Sequence, residues 1–140
     1  MFRRVRNFPN IFCDLKEETV MDKNMVRFTV DLAINEGKFN QFESIVRAMI
    51  AGTLKEAGAL GYEWFLSADR KRCRLLETYA DANAVLAHCS GPVVQELVPK
   101  ILETSTISGF EVYGDPGPEA AKMLAGIGAE IFPLWRGLGR

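Results

Sequence analysis

The stretch Gly61–Tyr79, GYEWFLSADRKRCRLLETY, decides the fold because two segments of alternating residues flank a charged turn. A two-residue period is typical of β-strands, so the stretch predicts an antiparallel hairpin whose turn is centred on Asp69 and Arg70. Such a turn places six side chains on one face: Tyr62, Trp64, Leu66, Leu75, Glu77 and Tyr79. That face meets either the helices of the domain or a partner molecule, and the sequence leaves both alternatives open.

The elements around the hairpin complete a β-α-β-β-α-β order. A strand is predicted after Met25, and an amphipathic helix follows, with an apolar stripe of Phe39, Phe42, Val46, Met49, Ile50 and Leu54. Asp81 is a suitable N-cap for a second helix, which Gly91 and Pro92 interrupt, and a last strand is predicted in SGFEVYGD. This order predicts an α+β, ferredoxin-like fold, a four-stranded antiparallel sheet with two helices on one face.

The length and the breaks in the pattern predict one domain with two extensions. The chain has 140 residues, of which 48% are hydrophobic, enough for one compact core. We expect an N-terminal extension over residues 1–24, the domain over residues 25–115, and a C-terminal extension over residues 116–140. Because the last of these is apolar, we expect it to pack on the domain or on a dimer partner.

The charge and the hydropathy argue against two classes of partner. The net charge is −1, from 17 basic and 18 acidic residues, so no large basic field is available to bind nucleic acid or an anionic membrane. No apolar run approaches the length of a membrane span, and the first residues are too polar for a signal peptide. We therefore predict a cytoplasmic protein.

The cysteines and the histidine restrict the metal and cofactor chemistry. Cys13, Cys73 and Cys89 are odd in number and lack CxxC spacing, which argues against a disulfide framework or a zinc knuckle. His88 is the only histidine, so one chain cannot form a multi-histidine metal site. The sequence also lacks the glycine-rich loops that bind phosphates. We therefore expect none of these metal or phosphate-binding sites.

A sheet covered by helices on one side leaves its second face open. The open face would carry either Phe65 and Leu76 or Tyr62 and Trp64, and both pairs are large and apolar. Exposed patches of this kind usually mark an interface. We therefore predict a homodimer that packs sheet to sheet.

The run GYEWFLSADRKRCRLLETYADANAVLAH resembles the antibiotic biosynthesis monooxygenase family. The matching features, in order, are Gly61, Tyr62, Glu63, the turn at Asp69, Glu77, Tyr79, Asp81 and His88. The resemblance covers roughly residues 25–115 and neither extension. It implies a dimeric α+β barrel. It also implies an oxygenase that oxidises a small quinol-like or polycyclic aromatic substrate with molecular oxygen and without a metal, a flavin or another cofactor, as the quinol and anthrone monooxygenases do. The haem-degrading branch is less similar, because residues 92–103 contain neither histidine nor tryptophan.

Oxygenation of this kind needs a base and a site that holds a flat aromatic ring and excludes bulk water. The hairpin and the second helix supply suitable residues. His88 is the expected base because an imidazole titrates near neutral pH, and Glu77 could orient it or bind a substrate hydroxyl. Tyr62, Trp64 and Tyr79 are the expected substrate-binding walls.

Each of these residues also has a structural interpretation. Glu77 could instead pair with Arg74 or Arg27, and the aromatic residues could be core or interface. Cys89 is expected to be a buried, unreactive thiol. An alternative function is a non-catalytic dimeric module of the same fold that binds a small ligand or serves in stress.

Overall fold

The computed structural model describes residues 24–138, so nearly all of the predicted N-terminal extension, Cys13 included, lies outside the described residues. The elements in chain order are β1 Val26–Ile34, α1 Phe39–Thr53, β2 Ala59–Leu66, β3 Arg72–Tyr79, α2 Ala82–Ser90, a π-helical turn Val93–Leu97, α3 Val98–Ile101, β4 Ser105–Tyr113, α4 Pro118–Gly126 and β5 Glu130–Phe132.

The strands form one mixed sheet in the order β2-β3-β1-β4-β5. The first four strands are antiparallel, which confirms the ferredoxin-like α+β prediction. The predicted count of four strands is too low, because β5 pairs in parallel with β4. β5 has only three residues, too few to show a period in the sequence.

The covering helices begin and end close to the predicted positions. Asp81 caps α2 by accepting a hydrogen bond of 2.9 Å from the backbone N–H of Ala84. In α1, Phe42 and Met49 are buried, but Ile50 and Leu54 are 42% and 85% exposed, so the predicted stripe is too wide. At 100° per residue, Ile50 lies about 80° around the helix from Phe42 and turns away from the sheet.

The register of the hairpin and the burial of its side chains together show which face the helices cover. Tyr62 lies opposite Glu77, and Trp64 lies opposite Leu75, as a turn around residues 69 and 70 predicts. These four side chains belong to the helix-covered face, which holds the core residues of β1 and β3. Phe65 and Leu76 therefore lie on the open face, where they are 52% and 37% exposed.

The C-terminal extension, as far as the structure describes it, contacts its own domain. α4 packs on α2, and its Ala120 and Leu124 join the core around Val85. After β5, Trp135 is 85% exposed. Between residues 24 and 138, no helix is both long enough and apolar enough to cross a membrane.

Candidate active site

His88 lies near the C-terminal end of α2 and points into the domain, where only 3% of it is exposed. Its ring packs against two of the tyrosines predicted for the site. The ring centroids lie 5.7 Å from Tyr62 and 5.2 Å from Tyr79. The sheet and α2 therefore bring the hairpin aromatics and the histidine together.

Two carboxylates flank the imidazole of His88. Nδ1 lies 2.8 Å from Oε1 of Glu56, and Nε2 lies 3.4 Å from Oε1 of Glu77. The Tyr79 hydroxyl donates a hydrogen bond of 2.5 Å to the same Glu77 oxygen. Glu77 therefore lies between the imidazole and a phenol, and neither arginine considered from the sequence is its partner in these contacts. Arg74 instead pairs with Asp31, at 2.7 Å.

Glu56 is the site residue that sequence reasoning missed. It lies in the turn between α1 and β2, where its backbone N–H donates to the Thr53 carbonyl at 2.9 Å. It is 32 positions from His88 in the chain. No local period points to a turn residue, so only the packing of this turn against α2 reveals the contact.

Burial favours the neutral, protonated forms of Glu77, Tyr62 and Tyr79. It raises the pKa of Glu77, and the charge of Glu56 adds to the effect, while His88 and the Tyr79 hydrogen bond oppose it. Burial also raises the pKa values of Tyr62 and Tyr79, and in both cases the charge of Glu77 raises them further. Both phenols therefore stay protonated, and the Tyr79 hydroxyl is a hydrogen-bond donor to Glu77.

A cavity of about 70 Å³ opens beside the cluster, between the sheet and the helices. Its polar lining includes Glu77 and His88, and the remainder is mostly aliphatic or aromatic. The lining residues include Phe28, Tyr62, Trp64, Phe110, Leu102 and Ile127. Leu102 and Ile127 are 40% and 46% exposed, so the cavity reaches the surface between the end of α3 and the end of α4.

The predicted substrate-binding residues divide into two groups. Tyr62 and Trp64 line the cavity, and their rings meet edge to face at 5.7 Å. Tyr79 is absent from the lining; it is fully buried behind Glu77 and packs on Phe28 at 5.2 Å. Its hydrogen bond to Glu77 accounts for this position. Phe28 and Phe110 are lining aromatics that the sequence did not single out.

The indole N–H of Trp64 is buried and, in the part of the chain that the structure describes, has no hydrogen-bond acceptor. A buried donor without an acceptor is costly unless a ligand or water satisfies it. Trp64 itself lines the cavity.

Cys89 follows His88 and also lines the cavity. Burial raises the pKa of its thiol to about 11, and the charges of Glu77 and Glu56 act in the same direction. A thiol of this kind is a poor nucleophile, as expected from the sequence. Over residues 24–138, His, Cys, Asp and Glu side chains form no group of three or more that could hold a metal ion.

Comparison with known proteins places this architecture in a family. The model of the antibiotic biosynthesis monooxygenase family matches residues 25–100, more than half of the chain. Among curated proteins, none matches the sequence.

Solved structures share the fold over most of their length. MupZ from Pseudomonas fluorescens is similar with a TM-score of 0.69 and 23% identity, over 84% of this chain and 95% of MupZ. A conserved protein from Bacteroides thetaiotaomicron, described as a possible oxidoreductase, has a TM-score of 0.59 and 25% identity, over 64% of this chain and 96% of its own. SnoaB, a cofactor-independent oxygenase from Streptomyces nogalater, has a TM-score of 0.58 and 14% identity, over 68% of this chain and 96% of its own.

The family match covers the hairpin, both covering helices and the residues around His88, and the structural neighbours share the sheet on which these lie. The chain therefore belongs to the antibiotic biosynthesis monooxygenase family.

Proposed function

We propose that this protein is a cofactor-independent monooxygenase that oxidises a small quinol-like aromatic with molecular oxygen. One observation carries the proposal: His88 and Glu77 line a mostly apolar cavity, with Nε2 of His88 only 3.4 Å from Oε1 of Glu77. A base in such a cavity can deprotonate a bound phenol while the walls exclude water from the anion.

The reaction balances with the substrate as the source of all electrons. Nε2 of His88 takes the proton of a ring hydroxyl, and the phenolate gives one electron to oxygen. The superoxide and the aromatic radical then join at a ring carbon to form a peroxide anion. The hydrogen on that carbon leaves as a proton for the outer peroxide oxygen, and cleavage of the O–O bond leaves a new carbonyl and a hydroxide ion. His88 returns its proton to this hydroxide, which leaves as water. For a quinol, the products are a hydroxyquinone and one water molecule.

The lining suggests that the substrate binds as a neutral molecule. The cavity walls contain two acidic or basic side chains, Glu77 and His88, and no lysine or arginine among the described lining residues. An apolar site without a cation disfavours a substrate that already carries a carboxylate or phosphate. A neutral phenol can donate to the imidazole and accept from the Trp64 N–H.

The cavity volume favours one aromatic ring over several. An engineered apolar cavity of about 150 Å³ holds benzene, whereas the cavity here measures about 70 Å³. A ring can enter only if the exposed edge at Leu102 and Ile127 moves outward. We therefore place single-ring quinols ahead of polycyclic anthrones as substrates.

Oxygen uptake tests the proposal directly. We expect uptake with a panel of neutral quinols and anthrones, and ¹⁸O₂ should put one labelled atom in the product and one in water. If no compound in a broad panel is oxidised but several bind without oxygen uptake, the protein is instead a ligand-binding module of the same fold.

We also propose that two copies pair through the open faces of their sheets. Phe65, Leu76 and Tyr113 are between 37% and 52% exposed there, and the covering helices are all on the other side. A stable interface would need to bury about 1,200–2,000 Å² in total. Light scattering at micromolar concentration should give the dimer mass, and Leu76→Lys should give the monomer mass. A monomeric wild-type chain would contradict this pairing.

A further inference from the structure

We infer that Glu56 is a positioning residue that fixes the proton of His88 on Nδ1 and so leaves Nε2 free as the base in the cavity. The two contacts of the imidazole differ in length. The distance from Nδ1 to Glu56 is 2.8 Å, that of a charge-assisted hydrogen bond, whereas the distance from Nε2 to Glu77 is 3.4 Å, longer than a normal one.

The chemistry of the two carboxyl groups points the same way. Glu77 already accepts the Tyr79 hydroxyl, and burial raises its pKa, so it competes weakly for an imidazole proton. Oε2 of Glu56 is buried and has no partner among the described residues, so His88 is the group that satisfies this carboxylate. Tyr62, whose ring centroid lies 5.7 Å from that of the imidazole, has its pKa raised by burial and therefore keeps its own proton.

The backbone explains how a turn residue reaches the imidazole. Gly58 lies against Ala84, one helical turn before His88, and a Cβ on Gly58 would collide with the Cβ of Ala84. The Gly58 carbonyl also accepts a hydrogen bond of 3.0 Å from the backbone N–H of Ala80. The glycine therefore allows the turn between α1 and β2 to approach α2 closely, and this approach brings Glu56 to Nδ1.

The single histidine makes the inference directly measurable. In the full chain labelled with ¹⁵N-histidine, one pair of imidazole nitrogens reports the tautomer without assignment ambiguity. At a pH where the ring is neutral, we expect the proton on Nδ1 in the wild type. Because a hydrogen bond to a charged group is stronger than one between neutral groups, Glu56→Ala should shift the tautomer ratio toward Nε2–H at least tenfold.

Control variants separate a positioning role from a general loss of structure. Glu63→Ala removes an exposed carboxylate from the open face of β2 and should leave the ratio unchanged. Gly58→Ala keeps Glu56 but moves its turn, and should shift the ratio in the same direction as Glu56→Ala. A wild-type proton on Nε2, or a ratio that Glu56→Ala does not change, would overturn the inference. The wild-type spectrum alone decides this if a variant does not fold.

The catalytic consequence rests on the proposed oxygenation, whereas the tautomer measurement does not. If a substrate is found, Glu56→Ala should lower kcat with little change in KM, and Glu56→Asp should recover part of the rate. A fixed Nδ1–H tautomer in a protein that oxidises no quinol would leave the inference intact and reject the function. Turnover of a quinol by a protein whose imidazole proton lies on Nε2 would support the function and reject the inference.

Discussion

Trp64 and Phe65 are neighbours on β2, yet one lines the cavity and the other lies on the open face with 52% of its surface exposed. The same contrast holds on β3, where Leu75 and Glu77 are buried and the intervening Leu76 is 37% exposed. Both faces carry large side chains and charged groups. The two faces differ because helices cover only one of them. The helices exclude water from that face, so its polar groups contact one another and their pKa values change.

The largest expected effect is on the covered face, at His88. His88→Ala removes the base from the cavity and should lower the rate of quinol-dependent oxygen uptake about 10²- to 10⁴-fold. Ser90→Ala is the matched control, because Ser90 is exposed on the same helix and bonds only the Leu86 carbonyl in the described contacts. Equal rates in the two variants would reject His88 as the base.

The adjacent aromatic pair on β2 tests the contrast in stability. Trp64→Ala removes a ring that packs on Phe42 and Tyr62, and should lower the free energy of unfolding by about 3 kcal/mol. Phe65→Ala removes a ring from the open face and should cost less than about 0.5 kcal/mol in a monomeric chain. Urea denaturation at low protein concentration measures both.

A large cost for Phe65→Ala that grows with protein concentration would show that a second copy covers this face. A large cost at all concentrations would contradict the open face itself. The two outcomes therefore separate a property of the dimer from a property of the fold.

Glu77 should make the stability depend on pH. Its pKa is raised from the usual 4.5, so above pH 4.5 the folded chain binds more protons than the unfolded chain until the folded pKa is passed. The stability from this group is complete below pH 4.5 and falls as pH rises through that window, by at most about 1.4 kcal/mol per pH unit.

Glu77→Gln keeps the shape of the side chain and should remove this dependence. The measurement is the difference in unfolding free energy between variant and wild type from pH 5 to pH 8. The range lies above the titration of Asp69, whose pKa is lowered from 3.8 by its hydrogen bonds to Ser67 and Lys71 and which acts in the opposite direction. A difference that stays constant over this range would show that Glu77 titrates normally.

The sequence predicted the covered face well because its signals are local. The two-residue period placed Tyr62, Trp64 and Glu77 on one face. Asp81, as a predicted N-cap, indicated the start of the helix that carries His88. The side on which the helices lie depends on contacts between distant elements, so the sequence left it open. Glu56 was missed for the same reason, since its contact with His88 depends on how closely a turn approaches α2.

The sequence was less informative where elements are short or the surroundings decide. β5 has three residues and showed no period, and Ile50 and Leu54 were placed on the buried stripe although they point away from the sheet. Tyr79 was expected on a cavity wall, but it does not line the cavity, and its hydroxyl donates a hydrogen bond to Glu77. The roles of His88, Glu77, Tyr62 and Trp64 stay predictions until a substrate is turned over.

The smallest expected effect concerns the ion pair on the open face. Nε of Arg74 lies 2.7 Å from Oδ1 of Asp31. Because the two side chains are 64% and 32% exposed, water and salt screen their attraction. Arg74→Ala should cost at most about 1 kcal/mol in a monomeric chain, and less at high salt. Two open faces packed against each other would bury the pair, and a lone Asp31 would then be left without its partner in an interface. A loss of unfolding free energy above about 2 kcal/mol that appears only at concentrations where the dimer forms would therefore place the pair inside the interface. A small, salt-sensitive loss at every concentration would show that the pair stays exposed to solvent.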